Sequence, residues 1–142
     1  MFLGLWRTYD RLRMIEEELF ARYDLTPQQY NALRLLRAVH PDPMPTLALA
    51  ARLVSRAPDI TRLLDRLAER GWLVRERPAD NRRVVQVAIS AAGLALLDGI
   101  ADPLRECHQR QLGHLSAGKL KQLEGLLREV RGPHEPVDSS WC

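Results

Sequence analysis

The sequence predicts one mainly helical domain with a small β-hairpin, an α+β fold in which helices dominate. Apolar residues recur every three or four positions over most of the 142 residues, which is the period of a helix with one buried face. The period changes to two only between residues 72 and 89, as in strands with one buried face. A chain of this length with 46% hydrophobic and 27% charged residues fits one compact domain.

The first two helices are predicted from apolar spacing and from capping residues. The first runs from Phe2 to Tyr23, and its apolar positions are Leu5, Trp6, Tyr9, Leu12, Ile15, Leu19 and Phe20. The second begins at Pro27, because Thr26 can act as its N-cap and Gln29 completes a capping box. Its apolar stripe comprises Tyr30, Leu33, Leu36 and Val39 and ends before Pro41.

Two short helices follow the prolines at positions 41, 43 and 45, which favour extended or turned backbone. The first is predicted from Thr46 to Val54. The second is predicted from Pro58 to Arg70 and stops before Gly71. Since only residues 55–57 connect them, the pair is typical of a helix-turn-helix.

A β-hairpin comes directly after these helices. Its strands are predicted at Trp72–Arg77 and Arg83–Ile89, and Pro78–Arg82 supplies residues that favour a turn. A helix-turn-helix followed by a hairpin is a winged helix, here covering about residues 26–90.

The chain returns to helix after the hairpin. One helix is predicted from Ser90 to about Leu115, and Ser116 can cap a last helix whose apolar side holds Leu120, Leu123, Leu127 and Val130. Residues 133–142 lack periodicity and are predicted to be a flexible tail. The terminal helices, about residues 1–23 and 90–131, carry more apolar surface than one chain of this size buries easily. A homodimer packed through them is therefore expected, with a folded-back monomeric bundle as the alternative.

Positive charge is concentrated in the predicted winged helix. The net charge is +3, yet residues 52–83 contain nine arginines and five acidic residues. Binding to phosphate backbones requires such a local positive field, although a solvated basic face would carry the same charges.

The second short helix has one apolar and one polar face. On a helical wheel, Ile60, Leu63, Leu64 and Leu67 lie together. Arginine on the opposite face can donate two hydrogen bonds to a guanine edge, and threonine can contact thymine or phosphate. The candidate DNA-contacting residues here are Pro58, Asp59, Thr61, Arg62 and Arg66, with Arg56 at the helix entrance as a phosphate contact.

The tip of the hairpin adds three candidates. Arg82 and Arg83 would project from the wing, where they can enter a minor groove or contact phosphates. Asp80 can orient Arg82 through an ion pair across the turn. These residues make double-stranded DNA the expected partner.

The order and spacing of these segments resemble the MarR family of transcriptional regulators. The resemblance rests on Leu49–Leu53, Ile60–Leu67, Gly71, the Asp80-x-Arg82-Arg83 motif and Ile89–Gly93, and it extends to about Val130. It implies a homodimer that binds a pseudo-palindromic operator, usually as a repressor that a small anionic or phenolic effector releases. It matches Asp80 and Arg82 to the wing residues of the family, and Thr61 and Arg62 to its recognition-helix pair. Ser90 stands where threonine is more common.

Other functions have less support in the sequence. The cysteine of peroxide-sensing relatives lies in the first helix, whereas Cys107 and Cys142 lie elsewhere. The histidines and Cys107 do not converge as metal ligands would, and no metal or cofactor is predicted. The sequence contains no nucleophilic side chain paired with a general base, and no glycine-rich loop of the kind with which enzymes bind phosphate. A winged-helix dimer that binds proteins instead of DNA remains the alternative, supported by Asp59, Asp65 and Glu69.

The N-terminal segment is apolar only briefly before its first charges. We therefore expect neither a signal peptide nor a membrane span, and a cytoplasmic protein.

Overall fold

The computed structural model describes residues 1–54, 59–137, 139 and 141. In these residues the helices are α1 (Phe2–Ala21), α2 (Pro27–Val39), α3 (Thr46–Arg52), α4 (Ile60–Glu69), α5 (Ala91–Leu112) and α6 (Ala117–Arg131). The strands are β1 (Met44–Pro45), β2 (Leu73–Glu76) and β3 (Gln86–Ile89), and a 3-10 turn spans Gly132–His134. The mainly helical α+β class is confirmed.

The predicted capping residues occupy the positions expected of them. Thr26 and Gln29 form a reciprocal capping box at the start of α2. Ser90 accepts a hydrogen bond from the backbone N–H of Gly93 at the start of α5, and Ser116 accepts one from Lys119 at the start of α6. Because a cap satisfies backbone donors that have no partner within the helix, these side chains determine where each helix begins.

The sheet contains one strand that the sequence did not predict. Its order is β1-β3-β2 with both pairs antiparallel, and Met44 lies opposite Val87 in the β1–β3 pair. The short β1 pairs with β3, and the Thr46 backbone N–H beside it donates to the carbonyl oxygen of Val85 at 3.0 Å. Pro45 has no N–H to donate, which an edge strand tolerates.

The core forms where the C-terminal end of α1 meets α2, α3, α4, the sheet and α5. Its largest fully buried side chains are Phe20, Leu33, Leu36, Leu49, Leu64, Leu67, Ile100 and Val87. The predicted stripe of α2 is confirmed for Leu33 and Leu36, while Tyr30 and Val39 are only half-buried. The ring of Tyr30 stacks on that of Phe20 with the centroids 4.9 Å apart, which joins α2 to α1.

The turn from α4 into the hairpin depends on Gly71. Its φ of 72° lies in the left-handed region that favours glycine. The N–H of Gly71 donates to Ala68, and that of Trp72 donates to Leu67. This pair of bonds is the Schellman motif, which satisfies the last carbonyls of a helix.

Pro103 lies inside α5 and leaves one helix carbonyl without its usual donor. The carbonyl oxygen of Gly99 would otherwise accept from position 103. The hydroxyl of Tyr23, which follows α1, lies 3.5 Å from this oxygen and donates to it. A side chain after α1 thus compensates for the proline and links the two helices.

Gly93 of α5 lies close to the backbone that precedes the hairpin. A Cβ there would lie 2.2 Å from the carbonyl oxygen of Trp72 and 2.7 Å from Cγ1 of Ile89. We expect Gly93→Ala to destabilise the protein by about 1–3 kcal/mol, because the backbone must shift to admit the methyl group. Urea unfolding at fixed protein concentration measures the change.

Gly99→Ala provides the control in the same helix. A Cβ at position 99 meets nothing within 4 Å, so the better helix propensity of alanine should raise stability by up to about 1 kcal/mol. Equal unfolding midpoints for the two variants would contradict the close approach at Gly93.

Candidate nucleic-acid interface

The start of α4 is set by Asp59. The sequence predicted that this helix begins at Pro58, but it begins at Ile60. The reason is that a carboxylate oxygen of Asp59 accepts the backbone N–H of Arg62 at 2.9 Å, which makes Asp59 the N-cap. Asp59 therefore caps α4 in addition to its predicted role at the DNA surface. Two other predicted contact residues, Arg56 and Pro58, lie outside the described residues.

The two faces of α4 differ as the helical wheel predicted. Leu64 and Leu67 are buried, and Ile60 and Leu63 are half-buried. On the other side Thr61, Arg62 and Arg66 are all exposed. Three of the predicted contact residues thus share one solvent-facing surface at the N-terminal part of the helix.

Arg75 on β2 connects the hairpin to α4. Its Nη2 lies 2.6 Å from Oδ1 of Asp65 and 3.4 Å from the carbonyl oxygen of Thr61. Both charged side chains are partly exposed, at 36% and 46%, so the pair adds little to stability. It does orient the hairpin on the helix, and it neutralises an acidic group beside the exposed arginines. We call this contact the Arg75 brace.

The wing tip is shaped by Asn81, whose role the sequence did not reveal. Its side-chain oxygen accepts the backbone N–H of Arg83 at 3.2 Å, and its carbonyl accepts that of Val84 at 3.2 Å. These bonds hold the tip in turns, so β3 begins at Gln86 rather than at Arg83 as predicted. An asparagine that bonds to backbone two residues later is a known turn former, and that was the available signal.

The expected ion pair between Asp80 and Arg82 is not formed in the described part of the chain. Both side chains are exposed, as is Arg83. Because Asn81 already holds the backbone of the turn, the wing does not need this pair to keep its shape. The two guanidinium groups at the tip face solvent.

Ion pairing occupies two of the arginines of α4 and the hairpin. Arg70 pairs with Asp24 and lies 4.3 Å from the ring centroid of Trp72, and Arg75 pairs with Asp65. Among the described residues, the exposed arginines of α4 and the wing without an ion pair are Arg62, Arg66, Arg77, Arg82 and Arg83. Of the acids that supported a protein-binding surface, Asp59 caps α4 and Asp65 is neutralised, which leaves Glu69.

Removal of the Arg75 brace should weaken DNA binding more than stability. We expect Arg75→Ala to raise the Kd for an operator duplex about 3- to 10-fold, because the wing loses its fixed orientation on α4. The free energy of unfolding should fall by less than about 1 kcal/mol. Fluorescence anisotropy and urea unfolding measure the two quantities.

The control is Arg105→Ala, which breaks an exposed ion pair with Asp102 on α5 at 2.7 Å. It removes the same charge and should leave the Kd within twofold. An equal loss of affinity in both variants would mean that net charge, and not the brace, explains the effect.

The region between α1 and α5 holds a cleft with mixed lining. Ile15, Leu19 and Pro103 are its apolar lining residues, and its charged lining residues are Glu18, Arg22, Glu106 and Arg110. Cys107 is buried there, and its burial, together with the nearby charge of Glu16, raises the pKa of the thiol. A raised pKa lowers the fraction of the thiolate, which is the nucleophilic form of a cysteine.

The described residues contain neither a metal-binding cluster nor a membrane-spanning helix. No three or more His, Cys, Asp or Glu side chains come together in an arrangement that could hold a metal ion. No helix among them has the length and apolar character needed to span a membrane.

The helices α3 and α4 and the hairpin that follows them form a winged helix-turn-helix. Exposed arginines lie on its second helix and at the tip of its hairpin. Residues 25–85 match the family model described as MarR family. The chain is 30% identical over 108 residues to the homoprotocatechuate degradative operon repressor of Escherichia coli, covering 76% of this chain and 72% of that protein. The chain belongs to the MarR family, and it is a transcription regulator and not an enzyme.

Solved structures share this fold. The MarR transcription factor from Planctomyces limnophilus is 56% identical and superimposes with a TM-score of 0.73, covering 89% of this chain and 91% of that chain. A mutant MarR from E. coli complexed with operator DNA is 25% identical, with a TM-score of 0.81 and coverage of 92% and 94%.

Proposed function

We propose that the protein is a sequence-specific regulator that binds double-stranded DNA as a homodimer. The observation that carries the proposal is the exposed face of α4 with Thr61, Arg62 and Arg66, next to a wing that presents Arg82 and Arg83. In this arrangement α4 lies in the major groove, and the wing contacts the adjacent minor groove or phosphates. The structure of the mutant E. coli MarR complexed with operator DNA supports DNA binding by this fold.

The homodimer is supported by apolar surface that one chain leaves uncovered. On α1, Phe2, Leu3 and Trp6 are between 71% and 77% exposed. On α6, Leu126 and Val130 are 52% and 63% exposed. Exposed apolar patches of this extent mark association sites. A two-fold dimer presents two winged helices to a pseudo-palindromic operator.

We further propose that the protein is a repressor that a small aromatic or anionic effector releases from DNA. The curated relative is named for repression of a homoprotocatechuate degradative operon. The cleft between α1 and α5 combines apolar side chains with Arg22 and Arg110 and with the acidic Glu18 and Glu106. Since Glu18 lies 3.9 Å from Arg22, Arg110 is the cation of this cleft that a small anionic effector would pair with. A ligand there would act on the angle between the terminal helices and the winged helix. The aromatic side chains of Trp6 and Tyr9 on α1 are exposed and do not line this cleft.

The proposal is tested by binding to the DNA upstream of the protein's own gene. We expect a Kd of about 10⁻⁸ M or lower at physiological salt, at least about 10³-fold tighter than for an unrelated duplex of equal length. The affinity should fall by roughly 10³-fold or more between 50 and 200 mM salt, because several phosphate contacts release counterions. Equal affinity for both duplexes would contradict sequence-specific binding.

The effector is tested in the same assay with homoprotocatechuate as the probe. Release predicts a Kd for the operator that rises with probe concentration. An unchanged Kd at saturating probe would contradict this effector and would leave DNA binding as proposed.

A further inference from the structure

The helices α1 and α4 end in the same kind of turn. At the end of α1 the backbone N–H of Asp24 donates to Ala21, and that of Leu25 donates to Phe20. The end of α4 makes the corresponding pair of bonds, as described above. Both turns are Schellman motifs, in which a residue just past the helix adopts a left-handed conformation. That residue is Gly71 after α4, but it is Asp24 after α1.

An aspartate is an unfavourable residue for this position of α1. Among the described residues, Asp24 is the one residue other than glycine with a positive φ, which is 52°. Glycine adopts this conformation freely, whereas the Cβ of an aspartate makes it unfavourable. The helix macrodipole also disfavours a negative charge at the C-terminal end of a helix. Because both effects favour glycine, the side chain of Asp24 is expected to have another role.

The carboxylate of Asp24 binds Arg70 at the end of α4. Nη1 of Arg70 forms an ion pair with Oδ2 of Asp24 and lies 3.5 Å from the backbone carbonyl oxygen of the same residue. The guanidinium carbon also lies 4.3 Å from the centroid of the Trp72 ring, and Trp72 is buried. Two acceptors and one aromatic face thus hold the guanidinium group in place. We call this arrangement the Asp24–Arg70 contact.

Both sides of the Asp24–Arg70 contact are anchored in the fold. On one side Leu25 is buried, and the hydroxyl of Tyr23 donates to the carbonyl oxygen of Gly99 on α5 at 3.5 Å. On the other side Arg70 is the C-cap of α4 and directly precedes the hairpin. The contact therefore joins the segment between α1 and α2 to the point where α4 passes into the hairpin.

The direction of α4 depends on few polar contacts. Its buried residues are Leu64 and Leu67, and its main neighbour among the helices and strands is β2. Apolar packing is not directional, whereas ion pairs and hydrogen bonds specify an orientation. The Arg75 brace holds the N-terminal half of α4. The Asp24–Arg70 contact holds its C-terminal end, so the helix is fixed at two points.

We propose that Asp24 and Arg70 are positioning residues for DNA binding. Their contact fixes the C-terminal end of α4 and thereby places the exposed Thr61, Arg62 and Arg66 on the DNA. Side chains that bind a ligand must be held within about 0.5 Å of the productive geometry. A tilt of α4 therefore weakens binding although neither positioning residue touches DNA. This inference rests on the DNA binding proposed above and is independent of the proposed effector.

Substitution of Asp24 separates positioning from charge. Asp24→Asn keeps the shape of the side chain, and asparagine tolerates the left-handed conformation. Electrostatics alone would tighten DNA binding, because the variant loses a negative charge. Positioning predicts the opposite, and we expect the operator Kd to rise about 3- to 10-fold, since two exposed ion pairs are lost per dimer. Fluorescence anisotropy with the DNA upstream of the protein's own gene measures the change.

Stability distinguishes positioning from an ordinary structural role. Asp24→Gly removes the whole side chain and introduces the residue that the left-handed conformation favours. We expect its free energy of unfolding to equal or exceed that of the wild type, while the operator Kd rises at least as much as in Asp24→Asn. Urea unfolding at fixed protein concentration measures the first quantity. A loss of stability that accompanies the loss of affinity would contradict a pure positioning role.

Asp98→Asn is the matched control. Asp98 on α5 forms an ion pair with Arg37 on α2 at 3.5 Å, and its side chain is 78% exposed, compared with 84% for Asp24. The variant removes the same charge from a pair that does not include α4, and it should leave the operator Kd within about twofold. An equal rise in Kd for Asp98→Asn and Asp24→Asn would overturn the role of the Asp24–Arg70 contact.

Arg70→Gln tests whether Arg70 acts through Asp24 or on the DNA directly. If the two residues act as a unit, the double variant with Asp24→Asn should bind the operator within about twofold of Arg70→Gln alone. The slope of log Kd against log salt should equal that of the wild type, since a positioning residue neutralises no phosphate. A slope reduced by about 1 for each subunit would show a direct phosphate contact and overturn the assignment.

The same measurements separate this inference from the proposed function. A wild type that binds the operator and an unrelated duplex equally well contradicts the proposed sequence-specific binding, and the inference fails with it. A wild type that binds the operator specifically, while Asp24→Asn binds it equally or more tightly, refutes the Asp24–Arg70 contact as a positioning element and leaves the proposed function intact.

Discussion

Replacing Arg82 with alanine is expected to raise the Kd for the operator about 30-fold or more. Arg82 is exposed at the wing tip and has no ion pair in the described chain, so its guanidinium is free to bind DNA. A lost arginine contact to a base costs about 1–3 kcal/mol, and a dimer loses two. Since about 1.4 kcal/mol corresponds to tenfold in Kd, the sum gives at least the stated factor. Anisotropy with a labelled operator measures it.

The control is Arg105→Ala, which removes the same charge from an exposed position on α5. It should change the Kd by no more than about twofold. The stability of Arg82→Ala should equal that of the wild type, because the turn is held by the backbone bonds of Asn81. A Kd for Arg82→Ala that matches the control would contradict the assignment of the wing to DNA.

Placing a charge on the exposed apolar face of α6 is expected to prevent dimerisation. Leu127 is 45% exposed in the single chain and lines a groove beside Trp141. In Leu127→Glu an unpaired carboxylate would be buried twice in the interface, which costs several kcal/mol. We expect the dimer Kd to rise at least about 10³-fold, as measured by sedimentation. The operator affinity should fall at least about 100-fold, because a monomer binds one half-site.

Val137→Glu is the control for this variant, since Val137 is fully exposed and the substitution adds the same charge. It should remain dimeric and bind the operator with an affinity within about threefold of the wild type. Helical circular dichroism of Leu127→Glu should be retained, because no residue of α6 contributes to the buried core of the described chain. A dimeric Leu127→Glu would show that α6 lies outside the interface.

The features that were predicted from sequence depend on neighbours along the chain. Thr26, Ser90 and Ser116 cap their helices through bonds to residues three positions later, so the local sequence contains both partners. The apolar face of α4 follows likewise from helical spacing. For this reason the helix order, the hairpin and the exposed arginines were confirmed.

The features that were missed depend on contacts between distant segments. Strand β1 forms only because β3, about 40 residues later, supplies its partner. The Arg75 brace forms because the turn at Gly71 brings β2 back against α4. The periodicity of the sequence does not predict that approach. The hydrogen bond from Arg131 to the carbonyl oxygen of Trp141 likewise joins residues ten positions apart, and neither composition nor periodicity reveals it.

The candidate DNA-contacting site could be predicted only in part from the sequence. Thr61, Arg62 and Arg66 share the exposed face of α4, and Asp80, Arg82 and Arg83 lie at the wing tip, as their positions along helix and hairpin required. What these side chains contact on DNA remains a prediction. Asp59 shows that the type of a residue does not by itself give its role, because the carboxylate of Asp59 caps α4.

Hydroxyl-radical footprinting of the operator tests the central claim most directly. A dimer with one α4 and one wing per subunit predicts two protected segments with two-fold symmetry. Their centres should lie one helical turn, about 10–10.5 base pairs, or a multiple of it apart. Arg82→Ala should lose the protection at the outer minor-groove positions first. A single asymmetric protected segment, or no protection at a protein concentration that shifts the duplex, would contradict a symmetric winged-helix dimer on DNA.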